Sequence, residues 1–190
     1  MKVCGITSVE DAQYAESCGA WAIGVILSSD SPRSIPRERA RDIFAALSPS
    51  TVSVAVTHTT SQNELQEILS LRPTAVQLYH PFTLPVQHQV KVFHVVRRGE
   101  PLPSDGDALV IDDSHGSGRQ YDPSFAREVM RRSPLPVILA GGLTPGNVRE
   151  AIDLLHPYAV DVSSGVERSP GVKDREKVKV FLTLCQEVVS

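Results

Sequence analysis

Aromatic residues make up only 5% of this chain, too few for the stacking platforms that single-stranded nucleic acid requires. An excess of one charge is missing as well. The 19 Lys and Arg stand against 22 Asp and Glu, a net −3, which argues against a dedicated nucleic-acid surface while leaving room for a local basic site. Cysteine is scarce: Cys4, Cys18 and Cys185 are an odd number at unrelated spacings, neither a disulfide framework nor a metal motif. A reducing, cytoplasmic setting is the expectation. The histidines show no ligand spacing, so no metal is expected. No apolar run approaches the length that spans a bilayer, so no membrane partner is expected. Met1-Lys2-Val3-Cys4-Gly5 leads straight into structural pattern, with no sign of a signal peptide. No linker or low-complexity stretch divides the chain, and residues 1–190 are expected to form one domain with a full core.

What the chain does have is strand-like and helix-like segments in alternation from end to end. Strands are expected at Lys2–Cys4, Ala22–Leu27, Thr51–Val56, Ala75–Tyr79, Val90–Val96, Ala108–Asp112, Pro136–Ala140 and Ala159–Val162. Helices are expected at Ser8–Cys18, Pro36–Leu47, Ser61–Leu71, Pro123–Arg132, Pro145–Leu155 and Asp174–Val189, with Ser8 and Ser61 as N-caps. Thr83–Gln89 has room for a short helical turn, and the prolines there argue against more. Arg97–Gly106, with two prolines and two glycines, is too short for an ordinary crossover helix. The strands are mostly continuous apolar runs, as expected when both faces are buried in a parallel sheet. Periodicity alone does not separate a closed barrel from an open doubly wound sheet. The strand count favours a compact (β/α)8 barrel, an α/β fold, with the fifth helix missing or reduced. That reduction also suits a chain well short of the roughly 250 residues common for the fold.

Two strand ends indicate a ligand. Pro136–Leu139 runs into Ala140-Gly141-Gly142-Leu143, and Tyr158–Val160 runs into Asp161-Val162-Ser163-Ser164-Gly165-Val166-Glu167. Bare glycine backbone lets an anion approach the amides, and a following helix N-terminus adds partial positive charge. In a (β/α)8 barrel the turns after strands seven and eight are the usual phosphate site. Other strand ends carry chemistry: Cys4-Gly5-Ile6-Thr7, Ser31-Pro32-Arg33-Ser34, Gln77-Leu78-Tyr79-His80, and Asp112-Asp113 followed by Gly116-Ser117-Gly118. Cys4 and Asp112 lie three strands apart around a ring of eight and are expected to face each other across the mouth, a geometry suited to proton removal on one side and donation on the other. A thiol near its reference value is only a few per cent thiolate at neutral pH, so a base role requires a lowered pKa, with Lys2, Arg33 or the phosphate-site dipoles as candidate causes.

Taken in order, these motifs resemble the phosphoribosylanthranilate isomerase family of tryptophan biosynthesis. The resemblance rests on Lys2–Thr7, Ser31–Ser34, Gln77-Leu78, Val110–Asp112 with Gly116–Gly118, Ala140–Leu143 with Asn147, and Asp161–Glu167 with Ser169–Asp174. It implies an Amadori rearrangement of N-(5′-phosphoribosyl)anthranilate to the ribulose form, with a small phosphosugar as partner and with neither metal nor organic cofactor. It implies Cys4 as the general base at C2′ and Asp112 as the general acid at the furanose oxygen. Arg33 would bind the anthranilate carboxylate, while Gly141, Gly142, Ser163, Ser164 and Gly165 hold the phosphate. Asp161 would sit on a substrate hydroxyl or amine. Gln77 is placed among the substrate contacts, with a polar core residue as the equal alternative. Three departures stand out: Tyr79-His80 where the family has His-Gly, Val56-Thr57-His58 where it has an aromatic and an asparagine, and the lost fifth helix.

Blander readings compete at each position. A lone thiol is more often a packing residue, and Cys18 and Cys185 are read that way. Asp113 is read as a turn partner and His115 as an exposed loop histidine. Asn147 could serve only to cap a helix, and Lys173-Asp174 reads as a helix start. Other phosphosugar enzymes on the same barrel are the alternative function. A synthase of indole-glycerol phosphate would want an inward lysine and glutamate, and an epimerase would want metal-binding histidines. A non-catalytic phosphate-ligand sensor is the third reading. The oligomeric state is left as monomer or homodimer.

Overall fold

The computed structural model describes residues 1–84, 89–112 and 120–189. Eight strands, β1 (Lys2–Val3), β2 (Ala22–Leu27), β3 (Val52–Thr57), β4 (Ala75–Leu78), β5 (Lys91–Val96), β6 (Ala108–Ile111), β7 (Val137–Leu139) and β8 (Ala159–Val162), pair in sequence order and close into a barrel. Every neighbouring pair is parallel, including β8 with β1. The expected (β/α)8 barrel is therefore met, and the open sheet is set aside.

Six helices lie among the described residues: α1 (Val9–Ser17), α2 (Arg37–Ala46), α3 (Gln62–Leu69), α4 (Pro123–Arg132), α5 (Val148–Leu155) and α6 (Arg175–Val189). The Ser8 and Ser61 hydroxyls accept from the backbone N–H three residues on, satisfying one of the orphan donors at each helix start. Asp122 does the same for α4. None of these helices is long and apolar enough to cross a membrane.

Residues 97–107 contain no helix, so the fifth helix is absent as expected. Of the short helical turn expected at Thr83–Gln89, Thr83, Leu84 and Gln89 are not helical, and residues 85–88 lie outside the described residues. Loop side chains do the covering on this side. Phe82, Leu84 and Val90 pack on a small cluster of Leu65, Val76, Leu78 and Val92, and Leu102 packs onto the main core. Asp107 closes the gap by pairing twice with Val92, accepting from its N–H and donating to its carbonyl.

The strands expected to end at Cys4, Tyr79, Asp112 and Ala140 each stop one residue earlier. Those four residues therefore stand just beyond the ladder, at the C-terminal mouth. Parity sets the direction of each side chain, since alternate residues of a strand face the same side. Cys4, Ala22, Ile26, Val54, Val56, Ala75, Phe93, Val110 and Ile138 fill the barrel interior, so Lys2, Gln77, Tyr79, Asp112 and Asp161 share that interior by the same parity. Gly24 of β2 makes space for two of them. A Cβ there would lie 2.9 Å from Cys4 Sγ and 3.2 Å from Lys2 Cε.

Candidate active site

The turns after β7 and β8 build one end of a recess in the mouth. Gly141 and Gly142 both adopt positive φ, 92° and 62°, which a residue with a Cβ rarely takes. Asn147 clamps this turn: its Nδ2 donates to the Gly142 carbonyl at 3.0 Å and its Oδ1 accepts from the Thr144 N–H at 2.8 Å. That bond delays α5 to Val148, three residues after the expected Pro145. After β8, Ser164–Val166 form a single 3₁₀ turn whose first N–H groups have no intrahelical acceptor. The two turns touch at Gly165, where a Cβ would sit 1.9 Å from the Leu143 carbonyl oxygen. Gly141, Gly142, Ser163 and Ser164 line the recess; Gly165 is not among the lining residues and acts at the contact between the turns.

Arg33 enters from the loop after β2. Its Nε and Nη2 grip the buried Glu167 carboxylate at 2.8–3.1 Å. Glu167 begins a small hairpin, β9 (Glu167–Ser169) with β10 (Val172–Lys173). Lys173 turns its own side chain inward, and its Nζ reaches Glu167 Oε1 at 2.8 Å and the Ser163 carbonyl at 3.1 Å. Burial opposes the charge of Glu167, but Arg33 and Lys173 outweigh it and hold the carboxyl below its ordinary range.

Cys4 and Asp112 line the same recess. Asp112 is buried, and Oδ2 accepts from the Tyr79 hydroxyl at 2.6 Å. The Tyr79 ring is held by His58, with centroids 3.9 Å apart, and by the Arg97 guanidinium at 5.4 Å. Within the barrel interior, Lys2 is fully buried and pairs with Asp161 Oδ2 at 2.5 Å. Burial opposes the Lys2 charge, but Asp161 and the adjoining Cys4 outweigh it and push its pKa up. Burial likewise drives the Cys4 thiol up, against the opposing pull of Lys2 and Lys173, while Asp161 adds to the rise. The lowered pKa that a base role requires is therefore not present in the free protein. Lys2 is the largest counter-influence, whereas Arg33 faces Glu167. Two buried acceptors, Gln77 Oε1 and Asp161 Oδ1, have no hydrogen-bond partner. Both belong to residues lining the recess.

A profile of the family described as N-(5′-phosphoribosyl)anthranilate (PRA) isomerase matches residues 1–183. The chain belongs to this family. It is an isomerase of tryptophan biosynthesis. It is 49% identical over 188 residues to the N-(5′-phosphoribosyl)anthranilate isomerase of Methanoregula boonei, covering 98% of this chain and 96% of that one. It is 36% identical to the isomerase of Haloferax volcanii, covering 98% and 92%. The phosphoribosyl anthranilate isomerase of Thermus thermophilus superposes with a TM-score of 0.86 at 34% identity over 98% of each chain. A solved phosphoribosyl anthranilate isomerase in complex with reduced 1-(o-carboxyphenylamino)-1-deoxyribulose 5-phosphate superposes at 0.80 and 30% identity, covering 98% of this chain and 97% of that one.

Nine of the ten residues named from sequence, Cys4, Arg33, Gln77, Asp112, Gly141, Gly142, Asp161, Ser163 and Ser164, line one recess; Gly165 is the tenth. Asp113, His115 and Gly116–Gly118 lie outside the described residues. Among the described residues no group of three or more His, Cys, Asp or Glu is placed to hold a metal ion. Sequence reasoning names Lys2 only as an influence on Cys4, and it misses the ion pairs of Lys2, Glu167 and Lys173. Parity with Cys4 was a usable signal for Lys2. Lys173 read as a helix start because nothing local announces a hairpin that turns its ammonium inward. His58 and Tyr79 stand out in the sequence as departures from the family pattern, with the Tyr79 hydroxyl as the expected replacement for a histidine contact. In the fold the two rings lie against each other, and the Tyr79 hydroxyl donates to Asp112. His80 lines a separate cavity on the outer side of β4 and β5.

Proposed function

We propose that this recess converts N-(5′-phosphoribosyl)anthranilate to 1-(2-carboxyphenylamino)-1-deoxyribulose 5-phosphate, with Cys4 and Asp112 as the acid–base pair. Asp112 passes a proton to the furanose ring oxygen as the C1′–O bond breaks and the anilino nitrogen lone pair forms the C1′=N Schiff base. Cys4 then removes the C2′ proton, the C2′–H electron pair becomes the C1′–C2′ double bond as the C1′=N pair returns to nitrogen, and the enolamine becomes the ketone by gaining a proton at C1′ and losing the C2′ hydroxyl proton. The atoms of substrate and product are the same, and side chains suffice for each proton. The phosphate rests on the Gly141-Gly142 and Ser163-Ser164-Gly165 turns, where peptide N–H groups meet an anion. Arg33 takes the carboxylate with the edge of its fork that Glu167 leaves open. Gln77 and Asp161 accept from the sugar hydroxyls or the anilino N–H. One observation carries this reading: a carboxyl, a thiol and two unpartnered buried acceptors line the same recess as the glycine and serine turns.

The direct test follows loss of substrate fluorescence with the purified protein. A folded protein that leaves the substrate unchanged would overturn the assignment. Arg33→Met is expected to raise KM by roughly tenfold to a hundredfold with kcat far less affected, the equivalent of one lost charged hydrogen bond. Gly165→Ala forces the Leu143 carbonyl away and separates the phosphate turns, so KM is expected to rise roughly tenfold; an unchanged KM would remove the turns from phosphate binding. Tyr79→Phe removes one hydrogen bond to the acid, and a loss of kcat of roughly fivefold is expected from initial rates.

We further infer a single catalytic domain over residues 1–190, acting in the cytoplasm as monomer or homodimer. An odd number of cysteines at unrelated spacings supports the location. A relative from Thermotoga maritima is dimeric and has been solved in a monomeric form.

A further inference from the structure

The carboxylate end and the phosphate end of the recess are joined by a buried chain of contacts. Arg33 holds Glu167 through Nε and Nη2, Glu167 Oε1 accepts from Lys173 Nζ, and Lys173 Nζ also donates to the backbone carbonyl of Ser163, in the phosphate turn. The chain closes on itself at Gly5. A Cβ there would lie 2.7 Å from Arg33 Cδ and 2.7 Å from Ser163 Oγ, so the Arg33 stem and the Ser163 side chain both rest against this glycine, next to Cys4. The Glu167 carboxylate also takes the Gly171 N–H, which fills its acceptor sites and leaves it no capacity for a substrate group. Two cationic side chains share this one anion in a buried group, where burial pulls the Lys173 pKa down and Glu167 holds it up.

We propose that Glu167 and Lys173 are positioning residues that tie Arg33 to the Ser163 turn, so that one frame sets the distance between the sites for the two anionic ends of the substrate. The proposal rests on the reading of Arg33 as the carboxylate site and of the Ser163 turn as part of the phosphate site. Neither positioning residue touches substrate in this scheme. Lys173 acts on one end through Glu167 and on the other through a backbone carbonyl. The opposite arrangement is also testable: Glu167 could be a competitor that occupies Arg33 until a substrate carboxylate displaces it.

The experiment measures competitive inhibition by each end alone, with anthranilate as the carboxylate probe and inorganic phosphate as the phosphate probe, at constant ionic strength. Arg33→Met is expected to weaken anthranilate by roughly tenfold or more and to leave phosphate near the parent value. Lys173→Met is expected to weaken both probes, each by several-fold to roughly tenfold. Lys173→Gln, which keeps a donor for the Ser163 carbonyl without the charge, is expected to recover part of the phosphate affinity; it stands in should the methionine variant fail to fold. Glu167→Gln is expected to weaken anthranilate. If Lys173→Met affects one probe or neither, or if Glu167→Gln tightens anthranilate, the frame is overturned. If Arg33→Met leaves anthranilate unchanged, it is the underlying reading of Arg33 that fails, and the frame falls with it.

Discussion

Cys4→Ala and Asp112→Asn are each expected to lower kcat by about 10²–10⁴-fold while KM moves only a few-fold. Neither side chain anchors the phosphate or the carboxylate in the proposed pose, so the loss falls on the chemical step and not on binding. Asn at position 112 can still accept from the Tyr79 hydroxyl, which keeps the local packing while removing the proton to be donated. Initial rates of fluorescence loss measure both variants. A Cys4→Ala variant within tenfold of the parent would move the base elsewhere, and Asp161 would be the next group to test. Burial holds the Cys4 thiol above its ordinary value, so kcat/KM of the parent is expected to rise with pH through the neutral range as thiolate forms.

The second large effect is expected at Lys2. It is fully buried and faces Asp161 at 2.5 Å, so Lys2→Met strands a buried carboxyl. Removing one member of such a pair destabilises by about 3–5 kcal/mol, roughly 6–20 °C in melting temperature for a chain of this size. The sign of the pH dependence follows from linkage. Without Lys2, the folded pKa of Asp161 lies further above its unfolded value. The deficit is therefore absent below the unfolded value, grows as pH rises from there, and is complete above the raised folded value. Urea midpoints at pH 4 and pH 8 measure it, and an equal deficit at both would show that Asp161 is not its source. Activity provides an independent readout. Lys2 pulls the Cys4 thiol down and Asp161 pushes it up, so Lys2→Met is expected to move the rising limb of kcat/KM to higher pH and Asp161→Asn to move it lower. A limb that stays in place in Lys2→Met would exclude Lys2 from tuning the thiol.

The departures from the family pattern turn out to be coupled. Tyr79 and His58 are two of the positions at which departures are expected. In the fold their rings lie 3.9 Å apart, with the Tyr79 hydroxyl on Asp112. The missing fifth helix also has an internal answer, since Leu102 and the Asp107 pairing with Val92 cover that side, and Phe82 and Leu84 do so beside it. Each substitution looks like a loss when read alone, because its compensating partner lies on another strand.

Local chemistry is what the sequence by itself determined. Apolar runs mark strands, Ser8 and Ser61 mark helix starts, and glycine pairs mark turns open to an anion, because each depends on neighbours within a few residues. The order of Cys4, Arg33, Asp112, Gly141-Gly142 and Ser163-Ser164 carried the family. Only the tertiary structure decided barrel closure, which depends on β8 meeting β1 across almost the whole chain. Only it decided the partners of the charged groups: Lys2 with Asp161, 159 positions apart, and Arg33 with Glu167, 134 apart. The reason is physical. A buried charge is tolerable only beside its counter-charge, and which counter-charge it meets is set by barrel register and strand parity, neither of which is written in the residues adjoining it.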